Sequence, residues 1–146
     1  MTLAAADPTG GGGLQGDLLT LASMGCHPLS VVTALCLRDT ENVAEVVPLD
    51  ADLVVDQARL LLEDVPVRAF KVGLLGSVEN IAAAAEILSD YPDIPLVVES
   101  DLARLARGST QEELLAAHCE LLLPQVAVLV LGRHEAQRLA MTLGGN

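Results

Sequence analysis

Short apolar runs and segments of helical spacing take turns along the whole 146-residue chain. TLAA (2–5), PLSVVTALCL (28–37), RAFKV (68–72), IPLVVE (94–99) and VAVLVL (126–131) are brief, aliphatic or β-branched, and bounded by glycine, proline or acidic turns, as buried strands are. Between them, residues 14–24 place Leu14, Leu18, Leu21 and Ala22 on one helical face, and Gly25 ends that segment. Asp50 can cap a helix over 51–63 with Leu53, Val54, Gln57, Leu60 and Leu61 inward. Ser77 can cap a helix over 77–91, with Asn80 standing where a capping box would place glutamate. Further helices are predicted over 110–122 and 133–143.

Five strands alternating with five helices can bury their apolar faces only as a parallel sheet with helices on both sides. The predicted fold is therefore a three-layer α/β/α unit, one domain over 1–146, with five strands in the order 2-1-3-4-5. In that order the sheet reverses between strands 1 and 3, and a ligand enters outside their carboxyl ends. The loops that leave those ends are DPTGGGG and GLLGS, both glycine-rich. VAVLVL becomes an uncharged edge, a hazard for pairing, and a homodimer contact is expected to cover it.

Charge narrows the partners. Eight basic residues against twenty acidic ones leave a formal charge of −12, which argues against nucleic acid and anionic membrane. A phosphate ligand would then need backbone N–H groups, a helix N-terminus or a metal. Tyr91 and Phe70 are the only aromatics, so the core is aliphatic. Cys26, Cys36 and Cys119 are odd in number and lack metal-ligand spacing, which fits reduced thiols in a cytoplasmic protein. No apolar run is long enough to span a bilayer, and no secretory signal follows Met1.

DPTGGGGLQGD is not a P-loop, because no Lys-Ser/Thr pair follows the glycines. Gly11, Gly13 and Gly16 match G-x-G-x-x-G by spacing, but a run this rich in glycine makes that match cheap. His27, His118 and His134 are far apart and have no partner at ligand spacing. Cys119 lies in an apolar helix and reads as a small core residue. Lys71, the single lysine, reads as a snorkelling strand residue.

Asp7, Pro8, Thr9, Gly10, Gly11, Gly13, Gln15, Asp17 and Leu18, then Ser30 to Leu35, then Lys71, Gly73, Leu75, Gly76 and Ser77 form a pattern. It resembles the hydroxymethylpyrimidine/phosphomethylpyrimidine kinases of thiamine biosynthesis, within the ribokinase-like superfamily. The resemblance runs through IPLVVE and ELLLPQVAVLVLGRHEAQRL. It implies transfer of the γ-phosphate of ATP, with Mg²⁺, to the hydroxymethyl group of a pyrimidine or to its monophosphate. It places Gly12, Asp17 (on the first turn of helix 1), Cys36, Arg38 and Leu74 around the pyrimidine, and Glu99 and Glu135 on the nucleotide and metal side. Lys71 would lie near the pocket floor. Several positions depart from the pattern. Arg38 stands for a glutamine that reads the pyrimidine edge by giving and accepting hydrogen bonds, whereas arginine only donates. Asp101 replaces an apolar pocket residue, Gly132 an asparagine, and Ala5 a glycine. The 146 residues match the first half of the family pattern, so the resemblance puts no catalytic residue among them. A kinase of this class is the leading expectation. The alternative is a kinase-derived module that binds a small molecule or a protein without turnover.

Overall fold

A computed structural model of the chain describes residues 1–100 and 109–144. Its elements in chain order are β1 (Thr2–Ala6), α1 (Gly13–Ser23), β2 (Ser30–Arg38), β3 (Val43–Pro48), α2 (Ala51–Asp64), β4 (Phe70–Val72), α3 (Val78–Ser89), β5 (Leu96–Glu99), α4 (Ser109–Ala117), β6 (Val128–Val130) and α5 (Arg133–Thr142). The sheet has six strands in the order β3-β2-β1-β4-β5-β6. Five of them, β2-β1-β4-β5-β6, are parallel neighbours and reproduce the predicted order.

The sixth, β3, is a correction. It pairs antiparallel with β2 and covers the edge that β2 would otherwise form. Asp39 makes the hairpin turn: its Oδ1 accepts from the N–H groups of Glu41 (2.8 Å) and Asn42 (2.7 Å). Those bonds favour the ionised carboxylate, so the Asp39 pKa is lowered. Glu45 and Pro48 break the apolar pattern of β3, and an edge strand tolerates both.

The principal core lies on one sheet face. Leu3, Val31, Phe70, Val72 and Val98 meet Val54 and Ala58 of α2, Ile81, Ala84 and Ile87 of α3, and Leu114 of α4. The α2 stripe differs from prediction: Leu53 and Leu60 are 56% and 69% exposed, while Val54 and Ala58 are fully buried. Gln57 faces the sheet and bonds both the N–H and the C=O of Val32 at 3.0 Å. Asp50 and Ser77 act as the expected caps, accepting from Asp52 N and Asn80 N. In α1 Leu14 is buried, but Ala22 is exposed. Past Ala117, α4 widens into a π turn (His118–Leu122) and tightens into a 3₁₀ turn (Leu123–Gln125) before β6.

Asn80 ties three segments together. It is fully buried, and its Nδ2 donates to the carbonyls of Thr33 (3.0 Å), Leu49 (3.1 Å) and Leu75 (3.0 Å). These carbonyls belong to β2, to the residue after β3 and to the loop after β4, so one amide fixes the loops at the carboxyl end of the sheet. At the far edge, β6 leaves Val128 52% and Val130 48% exposed. Among the described residues, no helix is long and apolar enough to cross a membrane.

Candidate functional site

The glycine run is folded by Asp7, which stands immediately after β1. Its Oδ1 accepts from Thr9 N (2.9 Å) and Thr9 Oγ1 (2.7 Å), and its N–H donates to Gln15 Oε1 at 2.6 Å. The Asp7 carbonyl accepts from Gly10 N at 3.1 Å, and Thr9 Oγ1 accepts from Gly11 N at 3.2 Å. Two of the four glycines are required by conformation. Gly10 and Gly13 have φ of +70° and +57°. At Gly13 a Cβ would also lie 2.7 Å from the Ala5 carbonyl oxygen, so only a bare backbone lets α1 start this close to β1.

This turn borders two openings, and Gly13 lines both. The narrower holds a cavity of about 20 Å³ lined by Ala5, Asp7, Cys36, Arg38, Val43, Val46 and Leu74. It lies beside the carboxyl ends of β1 and β2, where the sheet reverses. Cys36, Arg38 and Leu74 meet here. The Ala5 methyl occupies part of the space, packed with Ala34 and Leu74. Arg38 is anchored at both ends of its guanidinium: Nε donates to Asp39 O (2.9 Å) and Nη1 to Asp7 Oδ2 (3.3 Å). Its side chain is 14% exposed and that of Asp7 is 3% exposed.

The wider opening is a cleft of about 420 Å³ beside α1, bordered by Gly10–Gly13, Gly16, Asp17, Lys71 and Glu99. Here the structure joins residues that the resemblance had divided between substrate and nucleotide. Lys71 Nζ donates to Asp17 Oδ1 and Oδ2, both at 2.8 Å, and to Glu99 Oε2 at 2.6 Å. Thr2 Oγ1 donates to Asp17 Oδ2 at 2.7 Å. Register explains the meeting. Thr2 pairs with Lys71, Lys71 pairs with Val97, and Glu99 follows two residues later on the same face. Burial alone would lower the Lys71 pKa. Hydrogen bonds and charge from Asp17 and Glu99 outweigh it, so the pKa is raised and the ammonium persists. Asp17 sits in the second turn of α1 rather than the first, because the helix begins at Gly13.

Gly12 borders the wider cleft. Glu135 stands apart at the start of α5, where its Oε2 accepts from Gly132 N at 2.9 Å. Asp101 lies outside the described residues. Burial, helped by the charge of Glu120, pushes the Cys119 thiol up, so it stays protonated and a poor nucleophile. His118 is buried, with Nδ1 2.8 Å from Leu114 O. Burial lowers its pKa despite that bond.

Lys71 and Asp7 do more in the fold than the sequence suggests. A lone lysine inside an apolar strand of a chain carrying −12 is a signal that it faces carboxylates. The Asp7–Arg38 pair spans 31 positions and leaves no local trace. Among the described residues no group of three or more His, Cys, Asp or Glu side chains is placed to hold an ion. Glu99 is salt-bridged to Lys71, and Glu135 caps a helix. Glu99 walls the wider cleft, and Glu135 lies outside it.

The comparisons concern the chain and its fold. The phosphomethylpyrimidine kinase family model matches residues 7–144. The hydroxymethylpyrimidine/phosphomethylpyrimidine kinase of Escherichia coli (strain K12) is 32% identical over 140 residues, covering 95% of this chain and 53% of that protein. The crystal structure of phosphomethylpyrimidine kinase from Clostridium difficile 630 superposes with a TM-score of 0.81 at 30% identity, covering 96% of this chain and 61% of that one. The pyridoxal kinase of Staphylococcus aureus, in complex with AMP-PCP and pyridoxal, gives a TM-score of 0.80 at 27% identity, covering 97% of this chain and 50% of that one. The chain spans about half the length of the Escherichia coli relative it matches. The glycine turn, the reversing sheet and these matches together make this chain a member of the phosphomethylpyrimidine kinase family.

Proposed function

We propose that this chain forms the acceptor-binding half of a phosphotransferase site of thiamine biosynthesis, working in the cytoplasm. A hydroxymethyl-bearing pyrimidine, or its monophosphate, would lie against the glycine turn between Arg38 and Asp17, with ATP and Mg²⁺ supplying the phosphoryl group. The observation that carries this reading is the Asp7-locked Gly10–Gly13 turn, set where the sheet reverses and bordering both openings. Gly12 and Leu74 would contact the ring, and Cys36 would close the narrow end. Asp17, held by Lys71 and Thr2, would keep one carboxylate direction for the substrate hydroxyl. Glu99 and Glu135 would face the nucleotide side. A second copy, paired along the open β6 edge, is the expected partner.

Calorimetric titration with hydroxymethylpyrimidine and with its phosphate, at low salt with Mg²⁺, tests the proposal. Saturable binding should weaken about ten-fold or more in Asp17→Asn, which loses a charged acceptor. Gly12→Val should obstruct the cleft while leaving the Lys71 network intact, and thermal melts would verify that both variants fold. Binding unaffected by either substitution would refute the assignment.

A second reading, a binding module without turnover, is favoured by the Asp7–Arg38 ion pair inside the narrow cavity. Phosphate transfer from ATP to the pyrimidine, followed by product analysis, separates the two readings.

A further inference from the structure

The wider cleft, at about 420 Å³, has room for a substituted pyrimidine ring. Among the described residues that line it, the charged side chains are Asp17, Lys71 and Glu99, so its walls carry two negative charges and one positive. The positive charge is already committed. An ammonium has three N–H donors. Lys71 Nζ directs them to Asp17 Oδ1 and Oδ2, both at 2.8 Å, and to Glu99 Oε2 at 2.6 Å. To meet a phosphate, Nζ would have to leave a carboxylate, and that carboxylate would then face the phosphate as a like charge. The backbone offers little in exchange. Gly10 N–H goes to Asp7 O and Gly11 N–H to Thr9 Oγ1, both inside the turn. The N-terminus of α1 is worth about half a positive charge, which weakens the negative field of the cluster without cancelling it. On the narrow side of Gly13, Arg38 and Asp7 pair with each other and add no net charge.

From this we infer that the Asp17–Lys71–Glu99 cluster is a charge filter. The wider cleft takes the uncharged hydroxymethylpyrimidine in preference to its monophosphate, whose phosphate group carries about 1.5–2 negative charges near pH 7. Carboxylate oxygens can accept the hydroxyl hydrogen of the alcohol, whereas an ionised phosphate brings acceptors and more negative charge. The inference rests on the reading above that a hydroxymethylpyrimidine binds at the glycine turn. It adds which of the two acceptors named there the cleft prefers, and it makes Lys71 and Glu99 determinants of that choice.

The test is titration calorimetry on the full chain, at low salt and with a chelator present, comparing hydroxymethylpyrimidine with its phosphate. The alcohol should bind about ten-fold or more tightly. Salt at about 0.5 M should narrow the gap, because the Glu99 side chain is 43% exposed and its field is screened. Glu99→Gln keeps the side-chain shape and removes one negative charge, so it should narrow the gap about three-fold or more. Glu86→Gln makes the same change in net charge at an exposed position outside the cleft and should leave the gap as it is. Thermal melts verify that both variants fold. Equal binding of the two ligands, tighter binding of the phosphate, or a gap that Glu99→Gln and Glu86→Gln affect alike overturns the inference and leaves the acceptor-site proposal standing. If neither ligand binds the folded chain, the acceptor-site proposal falls, and the charge filter falls with it.

Discussion

Replacing Lys71 by methionine keeps most of the side-chain volume and removes the charge. In the native chain the ammonium neutralises two carboxylates, at 2.8 Å from Asp17 and 2.6 Å from Glu99. Removing one partner of a fully buried ion pair costs about 3–5 kcal/mol, because a charge is left uncompensated. Here the side chains of Lys71 and Asp17 are 20% and 17% exposed, while that of Glu99 is 43% exposed and easily rehydrated. Most of the loss therefore falls on Asp17, and screening reduces the total to about 2–3 kcal/mol. Urea denaturation should report that loss, and the melting temperature should drop by about 5–10 °C. Adding Asp17→Asn to Lys71→Met should recover about 1 kcal/mol by removing the orphaned charge. A deficit under about 1 kcal/mol would show that water, not the lysine, compensates these carboxylates.

Three further outcomes follow from the same geometry. Gly13→Ala should cost about 2–3 kcal/mol in urea melts, combining a left-handed backbone with a methyl driven against the Ala5 carbonyl, whereas Gly10→Ala, with open space around it, should cost about 1 kcal/mol. Asn80→Leu leaves the Leu49 and Leu75 carbonyls without their donor, while Thr33 O keeps the Leu49 N–H, so chemical denaturation should show a loss of about 3 kcal/mol. His118 lines a cavity with Gln111, Glu135 and Arg138, and burial lowers its pKa. The unfolded chain then binds more protons once pH falls below about 6.5, so stability should decline with a slope of at most about 1.4 kcal/mol per pH unit, and His118→Leu should flatten that slope.

Where one side-chain pattern repeats along the chain, the fold could be read before any coordinates. The five parallel strands and their order follow from apolar runs, intervening helical spacing and the geometric rules for crossovers. Asp50 and Ser77 were legible as caps because a cap acts on the next two or three residues. The stripe on α2 was less legible, since Leu53 and Leu60 are as apolar as the residues that do face the core. Strand β3 escaped because an edge strand needs no continuous apolar run, and the polar turn at Asp39 was its local mark.

By itself the sequence determined a doubly wound sheet and a bare turn at its reversal point, features that rest on neighbours within one turn of helix or one pleat of strand, while the residues expected around that turn came from the family resemblance. Only the tertiary structure decided which charges meet. Asp17 reaches Lys71 across 54 positions, Lys71 reaches Glu99 across 28, and Arg38 leans on Asp7 across 31. Such pairings are set by strand register and by the seat of α1 on the sheet, so the same carboxylates that look like separate substrate and nucleotide ligands in the chain become one cluster around a single ammonium in the fold.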